Sequence, residues 1–431
     1  MSESAIDQLP PVLKGFDLTD HARFATIDEG FPYELFSRLR REAPVLFHPP
    51  GQTADQEGFW VVSRHADIAA VASDPDTFSA RGGGGRSGGG SAIDDIPDGD
   101  RAGAMVAMQD NPRHHLLKHL LAPAVANRVA DVLEADLRAN ATRLVDQALA
   151  GGGACDFAND ITEPYAYRSM AVLLGVPDED QAKLADWAHR SVGFIDRRTG
   201  LSTETSRETI LATQEYVREL IERKRVAPEE DLASVLAAGE LPAEALAEGE
   251  PPLSDHERFA NILLLLLTGA EQPRNTIARG VLALAHQPEQ WRALREDRGL
   301  IPSAIEELLR FAPPNQYNRR TATVDARVGD TEIRAGQKVS LWWPSGNRDE
   351  EVFDDPSRFD IRRTSNPHLS FGHGNHYCLG SDVARLQIRL LLEELLDSVA
   401  EIRLAGKVTY QPWNKHTIVL DMPVELIPAG A

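Results

Sequence analysis

No feature of this chain restricts its fold as much as LSDHERFANILLLLLTGAEQPRNTIARGVLALAHQP, residues 253–288. Ser254 or Asp255 ahead of Glu257 is a helix-start signature. The leucines Leu263–Leu267 that follow predict a helix apolar enough to be buried at the centre of the protein. Directly after them come Thr268, Gly269, Glu271, Gln272, Pro273 and Arg274. Such residues either end the helix at the surface or bring polar chemistry into the interior. Apolar periodicity resumes at once in NTIARGVLALAHQP, so the helix is expected to continue past them. Proline has no N–H, which leaves the carbonyl of Gly269, four residues earlier, without its helical partner. It also biases Gln272 away from regular helix, which predicts a groove at this point.

The rest of the chain predicts a mainly α protein with a minor β region. Helical periodicity runs from 112 to 240, broken by GGGACD, GVPDED and DRRTG, while residues 319–343 alternate as short strands do. Residues 1–30 read as irregular, and the glycine-rich stretch 81–100 reads as a mobile lid or access loop. No boundary divides the 431 residues, so a single domain over 1–431 is expected. A net charge of −21 argues against nucleic acid or an anionic membrane as a partner of the whole surface. Two cysteines, Cys155 and Cys378, do not make a disulfide framework, and ILLLLL is too short to span a bilayer. The expectation is a soluble cytoplasmic protein.

The most specific signal is LSFGHGNHYCLGSDVARLQ, in which Cys378 lies between glycine turns and opens a helix. The positive end of a helix and its free N–H groups favour a thiolate there. Gly372, Gly374 and Gly380 remove side chains where a flat cofactor could approach the backbone. Two other readings are a buried structural cysteine beside a turn, and a zinc site from His373, His376 and Cys378, which lacks an evident fourth ligand.

This stretch resembles the haem-binding loop of the cytochrome P-450 superfamily, F-G-x-G-x-H/R-x-C-x-G, with Phe371, Gly372, Gly374, His376, Cys378 and Gly380 in every fixed place. The resemblance implies the cytochrome P-450 fold (α+β) of the bacterial soluble class. A b-type haem would lie between the long distal helix and the cysteine-loop helix, with Cys378 as the axial iron ligand. A thiolate ligand pushes electron density towards iron and favours O–O cleavage. By the same resemblance, AIEELLR supplies Glu307 and Arg310, expected to lock to Arg358 in FDDPSRFD. DNPRHHLLKHLLAPAV places His114 at the propionate histidine and Lys118 where the family has arginine, with Arg319 and His376 matched to the other propionate.

In the family the long helix carries A/G-G-x-D/E-T-T/S. Aligning Gly269 and Glu271 puts Gln272 at the threonine place, so the acid is kept and the alcohol is missing. A hydroxyl can donate and relay a proton, whereas a carboxamide donates hydrogen bonds but is a poor proton source. Thr268, Gly269, Glu271 and Gln272 are therefore the candidate catalytic residues. The implied function is a haem-thiolate monooxygenase that inserts one oxygen atom from O2 into a medium-sized, largely apolar molecule. The alternatives are peroxide use or an atypical oxidation (desaturation, coupling), and, in another class, non-catalytic haem binding. Leu264, Leu265, Asn315, Gln316 and Tyr317 are the candidate substrate contacts. No flavin or nicotinamide fingerprint is present, so electrons are expected from a ferredoxin and its reductase, or from a flavodoxin. These would meet Lys118, Arg128, Arg385 and Arg389. Arg197 and Arg198 in FIDRRTG suggest attraction of a carboxylate or of a carrier protein bearing the substrate.

Overall fold

Ser254 starts the central helix through a reciprocal cap, its hydroxyl accepting from the Glu257 N–H while the Glu257 carboxylate accepts from the Ser254 N–H. From there the helix runs unbroken from Asp255 to Ala285, through Pro273, in a computed structural model that describes residues 9–128, 132–192 and 195–430. Ile262, Leu263, Leu266, Ile277, Ala278 and Leu284 join the main hydrophobic core, where burial of each large aliphatic side chain contributes roughly 1.5–3 kcal/mol. Helices Glu163–Leu174, Glu204–Val226 and Ile301–Phe311 pack around this rod. The cysteine helix, Ser381–Ser398, follows Gly380 and buries Val383, Leu386, Leu390 and Leu391 in the same core. No helix among the described residues is long and apolar enough to cross a membrane.

The β region is a five-stranded sheet of β1 (Val45–His48), β2 (Phe59–Val62), β3 (Phe78–Ser79), β4 (Tyr317–Ala322) and β5 (Lys338–Trp342), in the order β1-β2-β5-β4-β3. Its partner pairs are antiparallel except β2 with β5. A hairpin of Thr409–Tyr410 and Val419–Asp421 carries the turn 411–418 back towards the central helix.

The glycine-rich stretch 81–100 is folded and tied down, contrary to the mobile loop expected from composition. Gly88 and Gly89 pair with Pro97 and Ile96, Arg81 holds Asp98 at 2.8 Å, and Arg86 bonds Glu57 at 2.5 Å and also Asp95. A Cβ at Gly89 would stand 1.6 Å from the Arg81 carbonyl oxygen, so glycine is there for close approach of two chains.

Glu307 and Arg310 form a fully buried fork with both contacts at 2.7 Å. Arg310 also donates to the carbonyls of Asn347, Pro356 and Arg358, at 2.9, 2.8 and 2.9 Å. The expected third member is corrected here. The turn that follows Asp355 leaves the Arg358 side chain exposed and offers only its carbonyl, and Arg363 takes the place at 3.2 Å from Glu307. Removing the acid would leave Arg310 charged, buried and unpaired. Glu307→Ala is therefore expected to lower the unfolding free energy by about 3–5 kcal/mol, and Arg358→Ala to change it by less than about 0.5 kcal/mol, in denaturant titrations followed by circular dichroism.

Candidate functional site

The cysteine loop is shaped by two left-handed glycines, Gly372 at φ 75° and Gly374 at φ 67°, and a Cβ on Gly374 would lie 2.6 Å from the Ala72 carbonyl oxygen. The Cys378 N–H donates to the Phe371 carbonyl at 2.9 Å, and the Gly380 N–H faces the thiol. Phe371 packs on Tyr377 and lies under the Arg385 guanidinium, 4.8 Å from it. Lys118 donates to the carbonyls of Asn375 and Tyr377 at 2.9 and 2.7 Å, so it fixes the backbone of this loop. Burial pushes the Cys378 thiol up, opposed by the Gly380 N–H and by the charges of Lys118 and Arg385. The same side chain is open to solvent-sized space. Both statements hold for a group on the wall of an internal cavity. Among the described residues no three His, Cys, Asp or Glu side chains come together to hold a metal ion, which removes the zinc reading.

His114 and His376 lie with ring centroids 4.0 Å apart. Burial, with positive charge on Lys118 and Arg320, pushes them down to about 4 and about 2. Arg320 is buried beside them, and burial pushes its guanidinium down to about 10. Among the described residues it has no carboxylate within ion-pair reach, and it donates a hydrogen bond to the Arg319 carbonyl at 3.0 Å. Arg319, expected in this cluster, is elsewhere. It holds Asp95 at 2.6 Å and Thr321 Oγ1 at 2.8 Å. Successive strand residues face opposite sides, so β4 can send only one of the two arginines to the histidines. A buried guanidinium with no direct ion pair, Asp110 acting on it only at longer range, a histidine pair and an open thiol suit a flat cofactor that bears carboxylates and a thiolate-binding metal.

Along the central helix Leu264, Leu265, Thr268 and Gln272 are accessible although Ala270, Glu271 and Arg274 between and beyond them are buried. Their spacing puts them on one face. The Thr268 hydroxyl donates to the Leu264 carbonyl at 2.7 Å, and the Gln272 amide meets His416 Nδ1 at 3.2 Å. Glu271 points elsewhere. Arg197 grips it at 2.6 and 2.9 Å, Asn275 donates at 2.7 Å, Tyr167 at 3.3 Å, and Arg274 lies 3.6 Å away. Arg197 and Arg274 hold the Glu271 carboxyl down to about 2 against the effect of burial. Gly269 serves packing, since a Cβ there would displace the methyl end of Met170.

Several expectations are corrected by this arrangement. Arg197 is only 3% exposed and spent on Glu271, and Arg198 pairs with Asp421 at 2.9 Å, so neither is a free cation for a carrier. Gln316 and Tyr317 are buried: the Gln316 amide donates to the Gly30 carbonyl and Thr417 Oγ1, and the Tyr317 hydroxyl accepts from the Ile93 N–H. Of that segment Asn315, together with Asn318, keeps an accessible side chain. The basic patch is largely neutralised, with Arg385 on Glu306 at 2.7 Å and Arg389 on Glu134 at 3.0 Å, while the side chain of Arg128 lies outside the described residues.

Sequence reasoning missed Arg320, Arg363, Tyr167 and His416. Alternation in β4 shows that Arg319 and Arg320 must diverge, but not which one faces the histidines. His416, a lone histidine in a turn, carries no pattern at all.

The family model described as Cytochrome P450 matches residues 201–399. A cytochrome P450 of Mycobacterium tuberculosis, P450 126, is 40% identical over 416 residues, covering 96% of this chain and 98% of that one. Linalool 8-monooxygenase of Pseudomonas putida is 33% identical over 400 residues, covering 92% and 96%. Among solved structures, CYP268A2 of Mycobacterium marinum in complex with pseudoionone is similar at TM-score 0.82 and 32% identity, covering 94% of this chain and 97% of that one.

The Glu271 cluster has a pH signature. A carboxyl lowered from 4.5 to about 2 contributes stability that is fully present above its unfolded value and is lost as pH falls through the folded one. Urea unfolding at pH 5 and pH 3 is expected to show a smaller loss of stability on acidification in Glu271→Gln than in the parent protein.

Proposed function

The chain belongs to the cytochrome P450 family, a haem monooxygenase family, and from that premise we propose that it oxidises a medium-sized apolar molecule of terpenoid or lipid type over the accessible face of the central helix. The observation that carries the site is the buried Arg320, without a direct ion-pair partner among the described residues, beside the His114–His376 pair, with the open Cys378 thiol on the neighbouring loop. In this reading the Cys378 thiolate would hold the haem iron, and Arg320, His114 and His376 would hold the haem carboxylates in place of the set built on Arg319. When bound, haem supplies an iron centre that activates dioxygen, with electron push from the thiolate. The Gly380 N–H, Lys118 and Arg385 stabilise the charge on Cys378. Lys118 acts through the loop backbone, donating to the carbonyls of Asn375 and Tyr377.

Thr268 and Gln272 are the polar groups that reach the accessible face, and Leu264 and Leu265 supply its apolar part. The Gln272 amide can hold a water by hydrogen bonding, but a proton must come from that water, from the Thr268 hydroxyl or from a substrate hydroxyl. Glu271, ionised and held by two guanidinium groups, orders this turn of helix and donates no proton there. The missing alcohol also favours a second reading, direct use of peroxide, which needs less proton delivery. A terpenoid substrate is supported by the likeness to an enzyme named for linalool and to a structure with pseudoionone bound. Electrons would come from a ferredoxin with its reductase.

Haem transfer from the holoprotein to apomyoglobin tests the binding site. Arg320→Ala loses one charge-assisted contact of about 1.5–3 kcal/mol and should release haem roughly tenfold faster or more. Arg319→Ala, which acts on Asp95, should leave the release rate near that of the parent. Oxygen activation is tested by Gln272→Thr, for which product formed per electron consumed should rise. No change in that ratio would mean the residue does not limit the reaction.

A further inference from the structure

Of the three buried lysines among the described residues, Lys224 rests on Asp231 at 2.6 Å and Lys338 rests on Asp55. Lys415 rests on no carboxylate. Its ammonium meets the Tyr317 carbonyl, Asn315 Oδ1 at 3.3 Å and the face of the Tyr317 ring at 4.5 Å, all of them neutral. The charged neighbour it feels is Arg320, which has the same sign. A buried ammonium beside a buried guanidinium, with no anion between them, is a costly arrangement unless a ligand brings the counter-charge.

The place of Lys415 says which ligand. The turn that carries it is fastened along residues 314–316. The Thr417 N–H donates to Pro314 at 2.7 Å, the Gln316 N–H donates to Lys415 at 3.0 Å, and Asn315 bridges His416. His416 in turn touches Gln272 on the accessible helix face. Lys415 is thus one residue behind a polar wall of His416 and Asn315 that stands across from Leu264, Thr268 and Gln272. The haem carboxylates are expected on the other side of Arg320. There the histidine pair feels the charges of Arg320 and Lys118.

We propose that Lys415, with the Asn315 amide, is the anchor for a carboxylate on the substrate, so that this enzyme acts on an apolar acid held by its head group. The inference rests on the haem monooxygenase reading and narrows its substrate to anionic molecules. His416 and Gln272 then hold the stretch of substrate next to the head, and the leucines of the helix face receive its apolar body. Burial pushes the Lys415 pKa down, an effect that an arriving carboxylate would reverse.

Soret titrations of the purified ferric holoprotein test this as binding, without turnover. Two matched series serve as probes: dodecanoic acid, its methyl ester and dodecanol, and geranic acid, its methyl ester and geraniol. In at least one series the acid should bind about tenfold tighter than the ester or the alcohol, the effect of one charge-assisted contact. Lys415→Met should abolish that preference while keeping the parent's Soret band, and Lys415→Arg should keep most of the preference. The proposal is overturned if neither acid is preferred, or if the preference survives in Lys415→Met. It is also overturned if Lys415→Met loses haem while Lys415→Arg retains it, because the lysine then belongs to the cofactor. A parent protein with no Soret band would instead overturn the haem reading on which the proposal rests.

Discussion

The Glu271 carboxylate, buried in the middle of the long central helix, is the interaction from which the rest of this site follows. An isolated charge there would not survive burial, so the protein surrounds it with Arg197, Arg274, Asn275 and Tyr167. Each of these belongs to a different task. Arg197 draws in the turn after residue 195, Arg274 reaches Glu163 at 3.0 Å and the Val419 carbonyl at 2.8 Å, and Asn275 accepts from the Val419 N–H at 2.8 Å. One acid thereby fixes the turn that carries Arg197, the neighbouring helix and the hairpin that forms a wall of the site. Because Glu271, a candidate catalytic residue, serves as an anchor, Thr268 and Gln272 are left as the polar groups on the accessible face.

Much of this was legible in the sequence, because it depends on local patterns with few solutions. The capping box before the central helix, the uninterrupted run through Pro273, the glycines around Cys378 and the Glu307–Arg310 pair are all set by residues within one or two turns of one another. What could not be read depends on long-range geometry. Arg358 and Arg363 are equally plausible partners for Glu307 until the course of the loop between them is known. Arg197 looks like an exposed loop cation because its partner lies 74 positions away in the chain. The glycine-rich segment 81–100 looked mobile because its fasteners, Glu57, Asp95 and Asp98, are ordinary surface residues in a list of residues.

The interior and the surface of this protein carry opposite electrostatic characters. The surface is strongly acidic, in keeping with the net charge of −21, and most exposed arginines are taken up by carboxylates. Positive charge without an internal partner collects instead around Arg320 and Lys415, with His114, His376 and His416 kept neutral by burial. Anionic groups are thus discouraged from the outside and welcomed at the centre, which lets a carboxylate-bearing ligand be held deep without nonspecific adhesion to the surface.

The divergence of Arg319 and Arg320 across β4 also bears on how such a protein can change its length. Arg319 faces the Asp95 carboxylate on one side of the strand and Arg320 the histidine pair on the other. A slip of one residue along the strand would move only one of the two guanidinium groups into the other's place and leave either Asp95 or the histidine pair without one. A change of one residue in length is therefore tolerated in the turn 323–325 that follows the strand and not within the strand itself.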